Sequence, residues 1–118
     1  MTWLLVFLGG GLGSLARYGV SLLTATVYSG SLPLSTFVSN LLSCSILVLV
    51  ATGVQSIEFD QKLLRAALIV GFCGGFSTFS TFSFETVQLI KNGNHLVAVG
   101  NVIVSVVVCL ILVYKLTK

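Results

Sequence analysis

The sequence predicts an all-α membrane protein of four transmembrane helices in a single domain spanning residues 1–118. Three observations carry that prediction. Hydrophobic residues make up 56% of the 118 and charged residues only 8%, whereas a soluble domain carries about 25% charged residues. The mean hydropathy of +1.10 leaves too little polar surface to cover a globule. Apart from Arg17 and Glu85, the few charges also fall between, or at the ends of, apolar stretches of about 20 residues or more, the length a membrane helix needs. The same composition excludes a disordered chain. Six Lys and Arg scattered along the sequence form no basic cluster, so no nucleic-acid partner is expected. The expected surroundings are membrane lipid, with the chain crossing the cell membrane several times.

The helices follow from the charge positions. Arg17 is the only charge before Glu58. That stretch is too long for one crossing, and the turn chemistry of Tyr28-Ser29-Gly30-Ser31-Leu32-Pro33 divides it into helices over residues 2–27 and 34–54. Glu58, Asp60, Lys62 and Arg65 then form a polar island. The uncharged run that follows ends at Glu85 and Lys91 and predicts a third helix over residues 62–90. A second uncharged run predicts a fourth over residues 95–114. The first segment has no basic residue before it and no small-x-small cleavage site, so it reads as a helix and not as a secretory signal. An even number of spans puts both termini on one side with Lys62, Arg65, Lys115 and Lys118. Lys91 and a snorkelling Arg17 lie opposite. So small a bias leaves insertion in both orientations open.

Two features read as packing. Gly11-Leu12-Gly13-Ser14-Leu15-Ala16 fits a dinucleotide-binding pattern, but that pattern has meaning only after a strand and before an acid about 20 residues on. Inside an apolar helix, Gly9 and Gly13 read instead as a small face that lets a second helix approach closely. Cys44, Cys73 and Cys109 are widely spaced, His95 is the only histidine, and no metal-ligand pattern joins them, so they read as small interior residues. Three acids and one histidine likewise offer no nucleophile–base pair, which argues against an enzyme.

The informative segment runs from Gly71 to Glu85, where phenylalanines alternate with hydroxyl residues. Gly74 and Gly75 at the middle of a span are costly for a plain helix. Two readings stand: a glycine-kinked helix, or a break near Gly74–Ser77 giving two half-helices whose freed carbonyls suit a small cation such as sodium. Beyond it, Phe79 and Phe82 share one helix face, and Thr78, Thr81 and Glu85 share another. The rings fit packing, or a path for an anion along their positive edges without tight binding. Glu85 is the only carboxylate in or near a span, and such acids are functional suspects. Helix 2 adds Thr36, Ser39, Asn40 and Ser43, and helix 4 adds Asn101 and Ser105. Hydroxyls and amides outnumber all other polar groups in the spans, which fits a small anion better than a proton or an organic cation.

Through Gly9 to Tyr18, Asn40-Leu41-Leu42 and the segment from Gly71 to Glu85, the whole chain resembles the Fluc (CrcB) family of fluoride channels. The resemblance implies an antiparallel, dual-topology dimer with two fluoride pores at its interface and a central structural sodium. Backbone carbonyls of Gly74 and Ser77 from both subunits would hold the sodium. Phe79 and Phe82 would match the paired pore phenylalanines, Asn40 the helix-2 pore asparagine and Ser105 the helix-4 pore serine. Thr81, Ser83 and Glu85 would line the polar path, and Arg17 the vestibule. Ser43, Ser77 and Asn101 depart from the common glycine, threonine and tyrosine of that family. Because some members pair two different chains, the resemblance leaves open a homodimer or a heterodimer with a paralogous chain. The alternatives are a small proton-coupled drug exporter, for which only Glu85 could serve as the exchangeable acid, and a non-conducting subunit of a heterodimeric channel.

Overall fold

The computed structural model describes residues 1–30 and 32–117. Ser31, part of the expected first turn, and Lys118, one of the charges weighed for orientation, lie outside the described residues. The elements are α1 (Thr2–Val27), α2 (Leu34–Gly53), α3 (Gln61–Arg65), α4 (Gly74–Phe76), α5 (Phe79–Lys91) and α6 (His95–Leu116). A 3-10 turn over Val54–Ser56 follows α2, and a π-helical stretch over Ala66–Cys73 joins α3 to α4. Taken together, Gln61–Lys91 forms the third of four helical stretches long and apolar enough to cross a membrane. The protein is an all-helical, multi-pass membrane protein.

The ends have local causes. Asp60 starts α3 one residue ahead of expectation because its side chain accepts a hydrogen bond from the Lys62 amide at 3.0 Å, which satisfies one of the orphan donors of a helix start. Arg65 reaches back to the Ala51 carbonyl near the end of α2 at 3.3 Å. After α5 the chain reverses at Gly93, whose φ of +84° is left-handed. The Gly93 amide bonds the Ile90 carbonyl at 3.1 Å and the Asn94 amide bonds the Leu89 carbonyl at 2.8 Å. This pattern closes a helix C-terminus and favours glycine at that position.

The tightest packing lies between α1 and the third span. Gly9 and Gly13 are buried, and a Cβ on either would overlap the carbonyl oxygen of Ala67 or Phe72. The opposing surface is built the same way. Gly71 leaves only 3.1 Å between its Cβ position and the Gly9 Cα, and a Cβ on Gly75 would overlap the Gly10 carbonyl. Two glycine pairs, each spaced by four residues, thus interlock backbone on backbone. Elsewhere α2 and α5 both pack against α6. Trp3, Phe7, Leu23 and Leu96 point outward and exposed, as side chains facing lipid do.

Candidate ion pathway around Ser77 and Thr78

The last helical bond of α4 runs from the Ser77 amide to the Cys73 carbonyl at 3.0 Å, and the backbone before α5 is extended, with ψ of 157° at Ser77 and 119° at Thr78. Side chains from α1, α2 and the stretch itself hold it in place. In a continuous helix the Thr78 amide would bond the Gly74 carbonyl. Here it donates instead to Asn40 Oδ1 at 2.8 Å, and Asn40 Nδ2 donates back to the Thr78 carbonyl at 3.4 Å. Thr78 Oγ1 accepts from the Thr81 amide at 3.1 Å and so caps α5. The Ser43 and Ser77 hydroxyls both donate to the Cys73 carbonyl at 2.9 Å. Arg17 on α1 donates its Nε to the Gly75 carbonyl at 3.2 Å.

Two clefts meet at Thr78. The first is an open groove of about 260 Å³ between α2, α5 and α6, lined by Asn40, Ser77, Thr78, Phe79, Phe82 and Ser105 among others. The Phe79 and Phe82 rings stand 5.9 Å apart at a tilt of 36°. Phe79 is 80% exposed, so nothing in this chain covers it. The second is a polar cleft of about 190 Å³, lined by Arg17, Thr36, Ser39, Thr78, Thr81 and Glu85 with Ser21 and Ser35. The Thr36 hydroxyl donates to the Glu85 carboxylate. Ser39 is 0% exposed, and its hydroxyl has no hydrogen-bond partner among the described residues. It is therefore a ready donor on the wall of this cleft.

The structure thus gathers Arg17, Asn40, Phe79, Thr81, Phe82, Glu85 and Ser105 onto two adjoining surfaces. Ser83 is half-buried and lines neither. Gly74 is exposed at the start of α4, and Ser77 is half-buried in the extended stretch. Gly9 and Gly13 belong to the seam that seats α1 against the third span. Phe72 and Phe76 pack edge to face at 5.6 Å, with Phe76 buried. Phe76 is core, unlike Phe79 and Phe82, and the half-buried Phe72 packs on it.

Sequence reasoning missed Thr86. It accepts from Asn101 Nδ2 at 3.1 Å and donates to the Phe82 carbonyl at 2.8 Å. With the 3.3 Å bond from Ser105 to Asn101, this ties α6 to the phenylalanine-bearing helix. A hydroxyl one turn after Phe82 was the available signal, but its partner on α6 depends on tertiary packing. Gly71 and Gly75, spaced like Gly9 and Gly13, were a legible seam that went unpaired.

A family profile described as "CrcB-like protein, Camphor Resistance (CrcB)" matches residues 4–115. A fluoride-specific ion channel FluC of Coxiella burnetii is 39% identical over 111 residues, 93% of this chain and 90% of that protein. Relatives of the same name from Gloeothece citriformis and Chlorobium phaeobacteroides are 41% and 45% identical, covering 86% and 80% of this chain and 82% and 72% of their own lengths. These relatives are named as ion channels, not as enzymes.

Proposed function

This chain belongs to the CrcB-like family, and on that premise we propose that it is a fluoride channel. It lets cytoplasmic fluoride leave the cell passively, down its electrochemical gradient, and so confers fluoride resistance. One observation carries this reading: at Thr78, a groove walled by phenyl rings meets a cleft walled by hydroxyls. Fluoride is small and strongly hydrated, so it crosses only if donors replace its water in stages. Ser39, Thr81 and the neighbouring hydroxyls offer O–H donors, and the free edge of the Asn40 amide offers N–H. The Phe79 and Phe82 ring edges carry partial positive charge. They can pass an anion without the tight binding that would stop conduction. Arg17 makes the polar cleft attractive to anions while its Nε stays engaged on the Gly75 carbonyl.

Four helices do not enclose the groove, and Phe79 lies open at its rim. A second chain in the opposite orientation would cover it and create two pores at the shared interface. The partner is either an identical chain or a paralogue, and with a paralogue this chain could serve as a non-conducting subunit. Residues 1–118 then act as one transmembrane domain in which the third span works as two half-helices.

The donor set at the interruption fits sodium. The Thr78 amide is diverted to Asn40, which leaves the Gly74 carbonyl without its usual helical donor. Backbone carbonyls are the hard oxygen ligands that suit such an ion. Gly74 and Ser77 from each of two subunits would hold it, and its charge would join the subunits at their centre.

The test is fluoride efflux from proteoliposomes, followed with a fluoride electrode while an ionophore balances charge. Efflux is expected from the wild type and lost in Phe79→Ile and Phe82→Ile. Efflux that matches in wild type and both variants, at the level of empty vesicles, overturns the reading for this chain alone. Recovery on adding a paralogous chain would then assign it as a subunit of a heterodimer.

A further inference from the structure

Cys44 and Cys109 come from different spans, and their spacing in sequence suggests no common site. The fold brings them together. α2 packs against α6, and both thiols line the apolar groove, each one helical turn beyond a polar residue of that groove, Asn40 and Ser105. Both thiols thus border one cavity of about 260 Å³. Both are free and half-buried, whereas the third thiol, Cys73, is 2% exposed.

We propose that Cys44 and Cys109 form a two-coordinate site for a thiophilic divalent cation, with mercury(II) as the ion that fits it best. Binding forms two metal–sulfur bonds and releases both thiol protons to solvent, with no change of oxidation state. Soft thiolates select such ions. The number of donors narrows the choice. Zinc takes four ligands in a closed site, and among the described residues no group of three or more His, Cys, Asp or Glu side chains comes together. Charge narrows it further. Two thiolates around a divalent ion make a neutral complex, which an apolar groove at membrane depth tolerates. The same pair around copper(I) or silver(I) keeps a negative charge that such a groove penalises.

The experiment titrates the purified full-length protein with mercuric chloride. It reads binding by native mass spectrometry and near-ultraviolet thiolate-to-metal absorption, then challenges the bound ion with a monothiol. The wild type and Cys73→Ser should each hold one mercury per chain at this site, displacing two protons. Stripping it should take about tenfold or more monothiol than stripping Cys44→Ser or Cys109→Ser, because the second thiolate acts at high effective concentration. Unchanged elution on size exclusion establishes that the serine variants are folded. Equal retention by wild type, Cys44→Ser and Cys109→Ser overturns the proposal, as does loss of the resistant ion in folded Cys73→Ser. None of these readouts uses ion flux, so the outcome is independent of what the channel conducts.

Discussion

Asn40 holds the backbone of Thr78 from both sides, accepting from its amide at 2.8 Å and donating to its carbonyl at 3.4 Å. One side chain on α2 thereby does for two extended peptide groups what a neighbouring strand does in a sheet. Because Thr78 lines both clefts, the grip also fixes the wall they share.

Replacing that amide separates support from transport. Asn40→Ala leaves the Thr78 amide without its acceptor, which should cost about 1–3 kcal/mol and lower the thermal unfolding midpoint in detergent. Asn40→Asp keeps an acceptor for the amide but loses the donor and adds a negative charge beside the groove. It should unfold closer to wild type, yet its fluoride efflux should fall as far as that of the alanine variant. Equal stability of Asn40→Ala and wild type would show that the double hydrogen bond is not structural.

The glycine seam predicts a contrast between positions of the same residue type. Gly13→Ala and Gly75→Ala drive a methyl group into the backbone of the facing helix, and overpacking of this kind costs about 1–3 kcal/mol. Gly11→Ala meets no atom within 4 Å and should be neutral, or slightly stabilising through helix propensity. Unfolding midpoints of the three variants check the order, and a Gly75→Ala variant as stable as Gly11→Ala would refute the seam.

The spans were legible because charges are few and, Arg17 and Glu85 apart, fall in turns or near span ends, and the boundaries moved by no more than two residues where caps such as Asp60 intervened. The faces of the third span were legible too, since Thr78, Thr81 and Glu85 at helical spacing do line one cleft. The partners were not. Arg17 reads as a vestibule charge, but its position on the Gly75 carbonyl depends on α1 lying against the third span. Asn40 reads as a pore residue by resemblance, but its oxygen and one of its N–H groups are already engaged by Thr78. Periodicity reports which side chains share a face. It carries no information on which other face they meet, and the pairing of Cys44 with Cys109 is hidden for that reason.

Phe79 and Phe82 separate conduction from stability. Phe79 is 80% exposed, so Phe79→Ile removes little buried area and should leave the unfolding midpoint near that of the wild type. Phe82, half-buried beneath it, should lose somewhat more, by about 1 kcal/mol for a hydrophobic swap that is not volume-conserving. Efflux should be lost in both. A stable Phe79→Ile variant that conducts like wild type would place the ring outside the fluoride path.

Glu85 decides between a channel and a proton-coupled exporter. Its carboxylate accepts a hydrogen bond from Thr36 in a cleft it shares with Arg17. A glutamine keeps an oxygen that can accept the same bond but carries no exchangeable proton. In a channel, Glu85→Gln should therefore remain folded and still release fluoride, and wild-type transport should move no protons against the ion. Thr36→Val is the complementary change: it keeps the charge but removes the donor, leaving a partly buried carboxylate short of a partner at a cost of about 1–3 kcal/mol. Thr36→Val should thus be the less stable of the two, the reverse of the order expected if the charge itself were the supporting feature. Proton release coupled to transport in the wild type, abolished in a folded Glu85→Gln variant, would instead make Glu85 the exchangeable acid of an exporter.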